Sequence, residues 1–284
     1  MTDTVYINGE YLPAAEARIS PLDRGVLLGD GLFESLRTYG GKPFLLNKHL
    51  DRFMRSTGSL DIDCPVARRD IAEAVTRLVD ERRGDDDLYI RITLTRGNPE
   101  PPAGDPIAPT LLVTVSPLPE RVRTTPENGW RLVFSALCRG PYEELAQHKI
   151  TSYMPLLFSR VQAIAEGADE ALILDFNDAI LEGTASNVFA VIRSWIVTPP
   201  LSAPILPGIT RAFVIGRCKA LNISVKQRAM TLQDLADADV LFATNSLTGI
   251  VPIRQWEEQQ YNLDNPILVK LLDDFRQQTT GATP

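Results

Sequence analysis

Two α/β domains of unequal size are what the sequence predicts, and three observations lead there. Strand-like and helix-like hydrophobic patterns alternate along the chain, a proline-rich polar stretch interrupts them near the middle, and 284 residues suffice for two cores. With 44% hydrophobic and 23% charged residues the composition is that of a globular protein, which excludes wholesale disorder.

The elements follow in order. Val5 to Ile7 and Tyr11 to Leu12 flank Asn8-Gly9, a strong hairpin signal. Leu32 to Tyr39 and Pro43 to Leu46 flank Gly40-Gly41 as a second strand pair, and Asn47 is placed to cap a helix through Leu50, Phe53 and Met54. Apolar residues recur at helical spacing from Val66 to Arg83, with Gly84 as the stop. Leu88 to Thr95 and Thr110 to Val115 read as strands. The stretch from Pro117 to Gly129 holds three prolines and little to bury, so the domains are placed at 1–117 and 130–284 with a linker at 118–129. Beyond it come a strand from Arg131 to Leu137, a helix from about Ser152 to Glu166, and short strands at Ala171 to Asp175, Ala179 to Leu181 and Val188 to Val191. A helix from Ile209 to Leu221, strands around Val225 and at Val240 to Ala243, and a helix from Pro266 to about Gln277 complete the chain.

Charge and composition narrow the function. Lys and Arg number 29 against 36 Asp and Glu, a net charge of −7, and no run of five like charges occurs, which argues against nucleic-acid and anionic-membrane surfaces. Three dispersed cysteines, Cys64, Cys138 and Cys218, with only two histidines, make neither a disulfide framework nor a metal site. The start of the chain lacks a signal-peptide pattern and the uncharged stretch Ser194 to Thr210 is broken by four prolines, so a cytoplasmic protein is expected. Gly29-Asp-Gly31 lacks the third glycine and the preceding strand of a dinucleotide fingerprint.

Three features carry chemistry. Lys149 precedes a helix in the otherwise uncharged stretch Ile150 to Ser159, where partial desolvation lowers a lysine's pKa and makes an amine nucleophile. Leu206-Pro-Gly-Ile-Thr-Arg211 opens a helix whose first N–H groups form an anion site, with the Thr210 hydroxyl added. Leu181-Glu-Gly-Thr-Ala-Ser-Asn187 sets one acid among small polar residues between apolar strands, where a carboxylate needs a donor.

Their order, together with Phe242-Ala-Thr-Asn-Ser246-Leu-Thr-Gly-Ile-Val-Pro252, Asp23-Arg-Gly-Val-Leu-Leu-Gly-Asp-Gly-Leu-Phe-Glu34-Ser-Leu-Arg37 and His49-Leu-Asp-Arg52, resembles the class IV aminotransferases. These are fold type IV pyridoxal-phosphate enzymes, with a small N-terminal α/β domain and a larger domain bearing a barrel-like sheet. The resemblance implies pyridoxal 5′-phosphate as cofactor, a homodimer, and amino-acid and 2-oxo-acid substrates. It casts Lys149 as the Schiff-base and proton-moving lysine and Glu182 as the partner of the pyridine nitrogen. Arg52, Ile209, Thr210 and Ser246 match the phosphate cup; Arg52 is preferred to Arg55 because it completes an H-x-x-R pattern. Tyr153 resembles the tyrosine that bonds the phenolic oxygen, although branched-chain enzymes carry theirs one position further on.

The members of the family differ in reaction. Tyr89-Ile-Arg91 resembles the Tyr-x-Arg of branched-chain aminotransferases, and Phe33 and Arg37 with it point to carboxylate-bearing donors. Thr244-Asn-Ser-Leu247 and Gln147 to Tyr153 read more like aminodeoxychorismate lyases, which release pyruvate. The loop Asn98 to Pro109 lacks the Arg and His that serve D-amino-acid transaminases. A transaminase is the expected activity and the lyase its alternative.

Overall fold

A computed structural model describes residues 3–82, 84, 87–98, 108–123, 128–140 and 143–280. The chain forms two units, Met1–Arg123 with His148–Tyr153, and Thr124–Gln147 with Met154–Pro284. The division at 123/124 lies inside the proline-rich stretch. The return of His148–Tyr153 to the first unit has no counterpart in the sequence reading, because it arises from pairing with a distant strand: Leu32 bridges Ile150, and Phe33 N–H donates to the Lys149 carbonyl at 2.8 Å.

The first unit contains β1 (Thr4–Ile7), β2 (Glu10–Pro13), α1 (Arg24–Leu28), β3 (Gly31–Tyr39), β4 (Lys42–Pro43), α2 (Leu46–Ser59), α3 (Arg68–Asp80), β5 (Leu88–Asn98), β6 (Ala108–Pro117) and α4 (Glu120–Arg123). The six strands form one sheet in the order β2-β1-β6-β5-β3-β4. Asn8 and Gly9 both take positive φ, 47° and 103°, as a tight two-residue hairpin requires. Alternation along the strands sets the core: Leu32 and Leu36 of β3 and Ile90, Ile92 and Leu94 of β5 pack with Leu50 and Phe53 of α2 and Ile71, Val75 and Leu78 of α3. Asn47 is not the cap. Leu45, at φ 55°, occupies that position without a side-chain bond, and the Asn47 side-chain oxygen instead accepts from Arg68 at 3.2 Å.

The second unit contains β7 (Trp130–Arg139), α5 (Met154–Ala165), β8 (Glu170–Asp175), β9 (Ile180–Gly183), β10 (Asn187–Ile192), β11 (Trp195–Thr198), α6 (Ile209–Ala220), β12 (Ser224–Gln227), α7 (Leu232–Ala236), β13 (Val240–Asn245), β14 (Gly249–Trp256), β15 (Gln259–Gln260) and α8 (Pro266–Thr280). Its sheet runs β12-β11-β10-β13-β14-β7-β8-β9, with β15 on β14. β7 pairs in parallel with both β8 and β14, and β11 with β12, while the remaining pairs are antiparallel. Strands β11 and β14 lie outside the sequence expectation; β11 is only four residues long and abuts Pro199-Pro200, and β14 carries Pro252 within it, a strong signal against a strand. Among the described residues no helix is long and apolar enough to cross a membrane.

Candidate active site

In the first unit the period-2 rule separates two faces of the central sheet. Leu32, Glu34 and Leu36 of β3 turn to the helices, whereas Phe33, Ser35 and Arg37 turn away. Across the antiparallel pair they meet Thr93, Arg91 and Tyr89 respectively. On this second face the Arg91 guanidinium carbon stands 3.9 Å from the Phe33 ring centroid, its Nε donates to Thr93 Oγ1 at 3.1 Å, and Ser35 shares a 3.1 Å hydrogen bond with the Tyr89 hydroxyl. Lys149, brought in by its backbone pairing with β3, places Nζ 4.6 Å from the same Phe33 ring and 5.6 Å from that of Tyr153. Phe33 and Tyr153 themselves meet edge to face at 5.6 Å. One buried ring thus carries an amine and a guanidinium.

The approach of His148–Tyr153 depends on a glycine. Gly29 has φ 68°, and a Cβ there would stand 2.8 Å from Ser152 Oγ and 3.2 Å from its Cα. The Gly29 carbonyl accepts from the hydroxyls of Thr151 at 2.6 Å and Ser152 at 2.9 Å, and the His148 ring joins Ser56 Oγ of α2 at 2.9 Å.

On the helix-facing side, Arg52 and His49 converge on Glu34. Arg52 Nε and Nη2 donate to its two oxygens at 2.8 and 2.7 Å, and His49 Nδ1 lies 2.7 Å from Oε2. Burial pushes the Glu34 carboxyl up, but the Arg52 charge and the hydrogen bonds from His49 and Arg52 outweigh it and hold the group at about 2. Burial lowers the His49 pKa in spite of Glu34, so the neutral ring donates through Nδ1–H.

Arg37, expected near the substrate, is engaged within the first unit. It is only 5% exposed, pairs with Asp87, donates to the carbonyls of Thr38, Val122 and Arg123, and lies 4.3 Å over the Tyr39 ring. A guanidinium so occupied ties β3 to its neighbours. Asp87, one local acid that could have neutralised Arg91, is consumed in the same pairing; Asp86 and the loop 99–107 lie outside the described residues.

In the second unit Glu182 sits on β9, 5% exposed. Arg139, the last residue of β7, donates to Oε1 at 2.5 Å and to the Pro204 carbonyl at 3.0 Å. Asn187 Nδ2 and the Leu206 N–H both reach Oε2 at 3.1 Å, and Asn187 Nδ2 also reaches the Leu206 carbonyl at 3.0 Å. The acid is therefore fixed in direction by the strand end and by the loop entering α6.

That helix begins after Gly208 with no side-chain cap. A Cβ on Gly208 would collide with Asn187 Oδ1, so only glycine lets the loop close on the Glu182 cluster. Ile209 and Thr210 supply the first N–H groups, and Thr210 Oγ1 lies 3.5 Å from Ser246 Oγ. The Thr244 hydroxyl, on β13, is buried without a hydrogen-bond partner. Helix amides and two hydroxyls within reach of each other have the chemistry to hold an oxyanion.

The structure thus brings Phe33, Tyr89, Arg91, Lys149 and Tyr153 together in the first unit, and Ile209, Thr210 and Ser246 in the second, with Glu182 joined to α6 through Asn187 and Leu206. Arg139 was missed. Its signal is faint: a lone arginine ending a strand, pairing with an acid 43 residues away.

Comparison with known proteins gives this arrangement its family. The amino-transferase class IV family model matches residues 31–256. The chain belongs to the class IV aminotransferases. A Methanocaldococcus jannaschii protein named as a branched-chain-amino-acid aminotransferase is 36% identical over 255 residues, covering 88% of this chain and 86% of the relative. The aminodeoxychorismate lyase of Bacillus subtilis is 30% identical over 273 residues, covering 90% and 88%. The branched-chain aminotransferase of the thermophilic archaeon Thermoproteus uzoniensis, solved with norvaline, superposes with a TM-score of 0.89 at 26% identity, covering 98% of this chain and 95% of that one. The mixed α/β architecture, with a curled half-barrel sheet in the larger unit, is that of the fold type IV class IV aminotransferases, which are pyridoxal-phosphate enzymes.

Proposed function

We propose that this class IV aminotransferase binds pyridoxal 5′-phosphate and moves an amino group between a carboxylate-bearing amino acid and a 2-oxo acid. The observation that carries the reading is the Phe33 ring bearing both Lys149 and Arg91. An amine that can exchange with a substrate amino group and a guanidinium that can take a carboxylate stand on one rigid platform. When bound, the cofactor supplies an electron sink for the bond-breaking at the substrate Cα.

This chain's residues do the rest. Lys149 would hold the cofactor covalently through Nζ and, when free of it, would carry the proton at the substrate Cα. Glu182 would pair with the ring nitrogen, and Arg139, Asn187 and Leu206 hold its carboxylate in place. Tyr153, against Phe33, would bond the phenolic oxygen. Arg52, held by Glu34, is the phosphate ligand proposed for the first unit, and Ile209, Thr210 and Ser246 are those proposed for the second, where the uncapped helix start supports an anion. Arg91 receives the substrate carboxylate, with Tyr89 and Phe33 shaping its approach.

The active form in this reading is a homodimer in the cytoplasm. α5 leaves Met154, Phe158, Val161 and Ile164 between 57% and 72% exposed at helical spacing, an apolar stripe that a second copy would cover. Light scattering should show a dimer at micromolar concentration, and an active monomer would refute this. The lyase remains a second reading because of the B. subtilis relative and the Thr244-Asn-Ser-Leu247 segment. A panel of amino acids should change the cofactor spectrum of the purified protein, glutamate among them. Pyruvate release from aminodeoxychorismate with no spectral response to any amino acid would establish the lyase instead.

A further inference from the structure

Glu170, the first residue of β8, is 0% exposed and has no part in the reading above. Its carboxylate accepts from five neutral donors: Ala171 N at 3.0 Å, Thr184 N at 3.1 Å and the Thr184 hydroxyl on Oε1, and Ala185 N at 3.2 Å and the Ser186 hydroxyl at 3.1 Å on Oε2. Four of them belong to Thr184-Ala-Ser186, within the turn that joins Glu182 to Asn187. The turn closes on itself through Gly183 N–H donating to the Ser186 carbonyl at 2.7 Å, and it is wrapped tightly around the carboxylate. A Cβ on Gly183 would collide with Ser186 Oγ and lie 3.1 Å from Glu170 Cγ and Cδ.

We propose that Glu170 is a positioning residue that fixes the direction of Glu182 toward the cofactor ring nitrogen by clamping the Gly183–Ser186 turn. The proposal rests on the assignment of Glu182 made above. Glu182 and Asn187 stand at the two ends of the clamped turn and are hydrogen-bonded to each other, so a shift of the turn moves the acid and its amide partner together. A carboxylate is what the turn requires, because it only accepts. In Glu170→Gln the amide NH2 must face one side. Facing Ala171 and Thr184 it opposes two backbone N–H groups, of which Thr184 N–H keeps the Ala171 carbonyl at 3.1 Å as a second acceptor; facing Ser186 the hydroxyl can rotate to accept, but Ala185 N–H cannot. Either way a backbone donor is left against a donor, and the turn must shift.

The test compares the full-length protein, stripped of cofactor, binding pyridoxal phosphate and the analogue whose ring nitrogen is replaced by C–H. Dissociation constants are read by fluorescence and thermal midpoints are recorded alongside. The wild type should prefer pyridoxal phosphate by about tenfold or more, the worth of one charged hydrogen bond. In Glu170→Gln that preference should collapse toward unity while the analogue binds as before. Ser186→Ala, which removes one donor and leaves the carboxylate, should lose part of the preference and decides the matter if Glu170→Gln does not fold. If both ligands weaken alike, or neither changes, Glu170 only supports the fold and the proposal is overturned. If the wild type itself shows no preference, the pairing of Glu182 falls and this proposal with it, whereas the role of Lys149 is judged separately by covalent trapping.

Discussion

The lysine of the first unit and the acid of the second are held in opposite ways. In the first, Lys149 and Arg91 lie over an aromatic ring, and cation–π contacts have little directional demand, worth about 0.5–2 kcal/mol each. In the second, Glu182 is gripped by a guanidinium, a side-chain amide and a backbone N–H. The contrast follows the work proposed for each. A lysine that links, leaves and carries a proton must swing between positions at low cost. An acid that keeps a ring nitrogen charged must not move.

The sharpest way to break the contrast is Arg139→Met. It removes one partner of a buried pair and leaves Glu182 without its cation, so unfolding stability should fall by about 3–5 kcal/mol in denaturant titrations. A loss within experimental error would mean that Glu182 is not held as described. On the first unit's side, Arg91→Ala should lower kcat/KM for a dicarboxylic donor such as glutamate at least about tenfold, because a desolvated carboxylate loses a partner worth ~2–5 kcal/mol. Monocarboxylic donors should suffer less; an equal loss with every donor would make Arg91 a strand-holding residue. The gentlest probe needs no substitution. Folding holds Glu34 at about 2 against an ordinary 4.5 and holds His49 below 6.5, so both favour the fold in their deprotonated forms. Their stabilisation is full above about pH 6.5 and is lost on acidification, first through His49 and then, between 4.5 and about 2, through Glu34. Thermal midpoints recorded down this range should decline in that order, and Glu34→Gln should flatten the lower part.

What the sequence made legible were the groups whose neighbours are close in the chain. Glu182 and Asn187 share one turn, Ile209 and Thr210 open one helix, and Lys149 stands out in an uncharged run. What it concealed were pairings made across strands. Arg139 meets Glu182 only because β7, β8 and β9 lie side by side, and the Asp87 that occupies Arg37 is 50 residues away from it. The same cause hid the return of His148–Tyr153 to β3, since a backbone bridge between Leu32 and Ile150 leaves no mark in either segment. The cap of α2 was misplaced for a local reason. Asn47 looks like a cap, yet its side chain serves Arg68, and the left-handed turn falls on Leu45, a residue that sequence rules would not choose.

The central claim, that Lys149 holds pyridoxal phosphate covalently, is tested most directly by borohydride reduction of the cofactor-loaded protein followed by peptide mass analysis. The label should be found on Lys149 alone, and Lys149→Ala should retain phosphate-dependent binding but take up no label. Reduction that still fixed cofactor to Lys149→Ala, or that labelled a different lysine in the wild type, would contradict the account.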